Sequence, residues 1–127
     1  MNKNRVNEWI APASEALQKV GVAKDGKVTA SFRGQIATFG AAVTMGSLKA
    51  AVAFFAQQGG AAVNRELLLT AMYDVITGGK LPRQELTAKK VFDYVCAHDT
   101  PQTREQFVDA AIALKLAMNL YDLVGEA

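Results

Sequence analysis

One cysteine and one histidine are the only thiol and imidazole in the chain. Cys96 has no partner for an internal disulfide, which fits a reducing compartment, and as a small member of an apolar helical face it is expected to be buried. A zinc site needs several Cys or His ligands, so no metal is expected. His98 follows Cys96 by two positions at a predicted helix end, and side chains at i and i+2 on a helix point apart. The pair therefore makes a poor nucleophile and base, and His98-Asp99 reads as a polar helix terminus. A phosphate-cradling Walker loop is missing too, because Gly34 to Gly40 is followed by Ala41 rather than Gly-Lys-Thr. No catalytic group and no cofactor are expected.

Long apolar runs are also lacking. Although 50% of the residues are hydrophobic, Lys, Asp or Gln interrupts every run before the ~18 residues that a bilayer span requires. The start, Met1-Asn2-Lys3-Asn4-Arg5, leads into a segment carrying Glu8 and Glu15, which is unlike the unbroken apolar core of a signal peptide. No membrane association and a cytoplasmic location are the expectations. Strong net charge is absent as well: 14 Lys and Arg against 12 Asp and Glu give +2, too little to imply a polyanion partner. The distribution says more than the sum, since Lys19, Lys24, Lys27, Arg33 and Lys49 are offset in that third of the chain by Asp25 alone.

Period-2 alternation is nearly absent, whereas helical spacing recurs throughout, so the chain reads as a single all-α domain, a compact bundle of about six helices over 1–127. Val6, Trp9, Ile10, Ala13, Leu17 and Val20 mark a first helix over 4–20, with Gly21 as its stop and Pro12 predicting a kink or a late start. A second helix over 28–43 carries Val28, Phe32, Ile36, Phe39 and Val43, with a break expected near Gly40. Ser47 is suited to cap a third helix that contains Leu48, Ala51, Val52 and Phe55 and stops at Gly59-Gly60. Asn64 is placed to cap a fourth, which ends at Gly78-Gly79, and a fifth runs over about 87–97. Thr100-Pro101 opens a sixth, expected to reach Val124. From Ala110 onwards that helix is apolar on nearly every side, so it is either central to the domain or exposed to a partner.

Within residues 27–58, Phe32, Val43, Met45-Gly46-Ser47-Leu48 and Ala53-Phe54-Phe55 follow an order of aromatic helix, apolar turn, Gly-x-Leu and a second helix ending Ala-Phe. Ala110-Ala111-Ile112-Ala113-Leu114-Lys115-Leu116-Ala117-Met118-Asn119 supplies a closing Ala-x-x-x-Leu helix. In these features the chain resembles the small subunit of the Cmr complex, the type III-B CRISPR effector. It departs from that family in having Phe39-Gly40-Ala41 where a proline is frequent, and Ala117, Asn119 and Leu120 where a tryptophan and a basic pair are frequent. The resemblance implies a non-catalytic subunit of an RNA-guided complex, stacked in several copies beside the backbone subunits. Its implied partners are copies of itself, other CRISPR effector-complex subunits, and guide and target RNA held through phosphates. On that reading Lys24, Lys27, Arg33 and Lys49 are the candidate RNA-binding residues, with Arg33 foremost because its fork can grip a phosphate through two bonds. Helix six and the Phe54-Phe55 region are the candidate stacking patches. Two alternatives remain: the small subunit of a type III-A complex, and a helical homodimeric adaptor with no nucleic-acid role. A helix-turn-helix regulator fits less well, as only Lys49 would face DNA.

Overall fold

In the computed structural model, which describes residues 1–57 and 64–125, the helical periodicity becomes six α-helices among the described residues. These are α1 (Lys3–Val20), α2 (Ala30–Met45), α3 (Leu48–Ala56), α4 (Glu66–Ile76), α5 (Ala88–Ala97) and α6 (Pro101–Met118). Side chains start most of them. The oxygens of Asn2, Ser47, Thr87 and Thr100 accept from Arg5 N, Ala50 N, Lys90 N and Thr103 N, satisfying N–H groups that the first helical turn leaves unpaired. Asn64 acts one position earlier than a formal cap, accepting from Glu66 N at 3.1 Å. The expected Gly59-Gly60 stop lies outside the described residues.

α6 forms the centre of the bundle and packs against α1, α2 and α4, while α5 packs against α3 and α4. Phe107, Ala110, Ala113, Leu114, Ala117 and Met118 are fully buried, so the greasy sixth helix is explained chiefly by its central position. Phe39 of α2 meets Phe55 of α3 edge-on, with ring centroids 5.2 Å apart, and this pair closes the core on that side. At the other side Asp109, fully buried on α6, accepts from Arg5 Nη1 at 3.2 Å and from Asn2 N at 3.3 Å, tying the start of α1 to the middle of α6. Breaking such a buried pair by removing one partner is costly, because it leaves a charge with neither water nor counter-ion.

Several expectations are corrected. α1 begins at Lys3 and continues through Pro12, so the late start is not found. Pro12 lies on the solvent face near exposed Glu8, where water can satisfy the carbonyl that a proline leaves free. No break occurs at Gly40: α2 continues to Met45 because Phe32, Ile36, Phe39 and Val43 hold one face of it against the core, which outweighs the glycine penalty. The turn to α3 falls at Gly46, where a Cβ would come 3.2 Å from the Ala42 carbonyl oxygen. Helix six ends at Met118, not Val124.

The chain also forms a small sheet of order β1-β2-β3: β1 (Ala23–Lys24) pairs antiparallel with β2 (Lys27–Thr29), and β2 pairs parallel with β3 (Asp122–Val124). The expected second helix over 28–43 thus loses Val28 and Thr29 to β2, and α2 begins only at Ala30.

Candidate nucleic-acid interface

The β1–β2 hairpin turns on Asp25-Gly26, with φ of 54° and 75°. A two-residue type I′ turn requires positive φ at both central positions, and Asp-Gly is among the few pairs that accept it readily. Alternation across the strands then sorts the side chains. Ala23 and its register partner Val28 face the core, while Lys24 and its partner Lys27 face outwards, both exposed. Two like charges directly opposite each other on one face destabilise a sheet. Neither lysine is in an ion pair with another described residue. Asp122 is the neighbour of Lys27 across the parallel pairing, and its N–H donates to the Gly26 carbonyl at 2.9 Å, so β3 is fastened to the turn.

β2 runs directly into α2, and this places Arg33 at the same end of the molecule. Its Nε donates to Asn119 Oδ1 at 3.2 Å, which holds the end of α6 against the start of α2. Asn119 is neutral, and the guanidinium is in no ion pair with another described residue. Lys49 does not join this group. It stands in the first turn of α3, past the far end of α2, and the rise along α2 between Arg33 and Gly46 is about 20 Å. Its Nζ lies 3.3 Å from Asp99 Oδ2. The structure thus sets Lys24 opposite Lys27, with Arg33 in the first turn of the helix that follows β2, and leaves Lys49 apart.

Elsewhere some cations are matched by carboxylates, whereas Lys3, Lys80, Arg83, Arg104 and Lys115 are in no ion pair with another described residue. Lys19 pairs with buried Asp74 at 2.9 Å, Lys89 with Asp93 at 2.8 Å, and Lys90 with Glu85. Arg65 is only 8% exposed, and its guanidinium carbon lies 4.4 Å from the ring centroid of Phe54. Cys96 is exposed, contrary to expectation. Val91 and Val95, four apart, form the buried ridge of α5, and Cys96 sits a further 100° around the helix, beyond it. The His98 ring stacks on Tyr94 with centroids 4.3 Å apart, and its Nδ1 lies 3.0 Å from the Tyr94 carbonyl oxygen. Burial pushes the Tyr73 hydroxyl above the ordinary tyrosine range, and neighbouring Tyr94 adds to this.

Besides Met1 at the start of the chain, large apolar side chains stay exposed in two groups among the described residues. Met45, 87% exposed, ends α2, and Phe54 projects from α3. The second group comprises Leu116 on the outer side of α6 and then Leu120 and Leu123, with Leu120 at 68%. Leu120 follows Asn119, which is pinned to Arg33, so Met45 and Leu120 mark opposite ends of α2, separated by about 20 Å of helical rise.

Among the described residues no group of three or more His, Cys, Asp or Glu could hold a metal ion, and no helix is long and apolar enough to cross a membrane. No protein-family model, curated protein or solved structure matches the chain.

Proposed function

We propose that this chain is the non-catalytic small subunit of a type III-B CRISPR RNA-guided effector complex. Copies stack head to tail beside the backbone subunits in the cytoplasm, with the hairpin end of each turned towards the guide and target RNA. The observation that carries this reading is the Lys24–Lys27 pair across the hairpin, followed by Arg33 in the first turn of α2, none of which is in an ion pair with a described carboxylate. A hairpin that sets two lysines opposite each other accepts a repulsion that a bound phosphate would relieve. Such contacts neutralise the backbone and carry no base sequence information.

The sequence pattern at Phe32, Val43, Met45-Gly46-Ser47-Leu48 and Ala53-Phe54-Phe55 supports the same assignment, and so does the Ala110 to Asn119 helix. Stacking finds support in the separation of the apolar groups. Met45 at one end of α2 and Leu120 at the other suit a heterologous contact, in which one surface of a copy meets a different surface of the next.

The test is recovery of the tagged, full-length protein from its native cells with identification of everything bound. Short guide RNAs together with CRISPR backbone proteins are the expected partners. Recovery of the protein alone, as a closed two-fold dimer, would replace this reading with that of a dimeric adaptor.

A further inference from the structure

Beside the hairpin lies a recess of about 300 Å³, with Lys24, Lys27 and Thr29 around it and Phe32, Leu67 and Val124 among its apolar walls. The Gly21-Val22 link after α1 and three further elements build it. The outward face of the sheet contributes Lys24, Lys27, Thr29 and Val124, of which Thr29 and Val124 are register partners. The first turn of α2 contributes Phe32, and the start of α4 contributes Leu67. Thr29 stands at the N-cap position of α2 yet makes no side-chain cap hydrogen bond.

We infer that this recess receives one unstacked nucleotide of the RNA strand, with its base against Phe32, Leu67 and Val124 and its phosphate between Lys24 and Lys27. The inference rests on the RNA-backbone role proposed above and adds to it a base-dependent contact. The chemistry of the lining selects the occupant. Two cations beside an apolar floor complement an anion that carries a flat, weakly polar body. A phosphate alone would leave the floor wet, and an apolar side chain would leave both lysines unanswered. The volume sits at the lower limit of ligand pockets, about 300–1,000 Å³, enough for one base and too little for a duplex. The Thr29 hydroxyl is available to the base edge or the ribose. Any base has a face to lay against an apolar wall, so the contact tolerates sequence. Asp122 shares the outward face with Lys27 and weakens the local field without lining the recess.

The experiment compares binding of the purified chain, by fluorescence anisotropy, to a single-stranded RNA of about ten nucleotides and to the same strand built from abasic ribose. The intact strand is expected to bind about tenfold more tightly, the size of one base contact. Val124→Trp fills the recess and leaves every charge in place. It is expected to lower affinity for intact RNA to the abasic level and to leave abasic binding unchanged. Equal affinity for the two strands, or a folded Val124→Trp protein that binds intact RNA as the parent does, overturns the inference. Should Val124→Trp not fold, the abasic comparison on the parent decides alone. RNA binding without a contribution from the base sinks only the recess, whereas a parent chain that binds neither strand sinks the RNA-backbone role as well.

Discussion

The two ends of the molecule handle positive charge differently. At the α3–α5 end Lys49, Lys89 and Lys90 each face a carboxylate, from Asp99, Asp93 and Glu85. At the hairpin end Lys24 and Lys27 face each other, and Arg33 meets only the neutral amide of Asn119. All these side chains count equally in a net charge of +2, yet among the described residues the first group is in ion pairs and the second is not. A lysine points to a polyanion when its neighbours fail to answer it, and those neighbours come from strands and helices remote in sequence.

The comparison can be broken by exchanging charges at either end. The largest effect is expected for Lys24→Glu combined with Lys27→Glu, which should weaken RNA binding about a hundredfold at low salt and lower the slope of log K against log salt by about 1.4, two single-strand contacts. Anisotropy titrations over a salt series measure both. Next comes Gly26→Ala, which forces a side chain into the left-handed turn at φ 75°. It should cost about 1–2 kcal/mol in urea unfolding, and an unchanged midpoint would mean that the hairpin does not need this turn. Arg33→Lys keeps the charge but loses the fork and the Nε bond to Asn119, and an RNA affinity about fivefold lower is expected. Asp122→Asn should tighten RNA binding about twofold by removing the one acid in register with Lys27. The smallest effect belongs to Lys49→Glu, expected to alter affinity by less than about twofold, since the lysine is already paired with Asp99.

Helical spacing made most of the bundle legible. The faces of α1, α2 and α4 follow from Leu17, Phe39 and Leu68 and their periodic neighbours, and the caps at Ser47 and Thr100 act where their side chains suggest. The sheet was hidden because its strands are only two or three residues long, too short to display alternation. Its β2–β3 pairing joins Val28 to Leu123, a contact without any local signature. One signal was nevertheless present: Asp25-Gly26 is a strong type I′ turn pair and marks Lys24 and Lys27 as opposed neighbours. For the candidate site, the charge distribution singled out Lys19, Lys24, Lys27, Arg33 and Lys49, and the resemblance implied RNA binding for the last four. Only the fold separates them, because Asp99 lies far along the chain from Lys49 and meets it through the packing of α3 on α5. Cys96 was misplaced for a similar reason. The apolar run on α5 looked broad, whereas the buried ridge is confined to Val91 and Val95.

Photo-crosslinking of the purified chain to a single-stranded RNA carrying 4-thiouridine, with the adducts mapped by mass spectrometry, tests the central claim most directly. The account predicts adducts on peptides that contain Lys24, Lys27 and Val124. Adducts concentrated around Lys49, Lys89 and Lys90, or none above background, would contradict it.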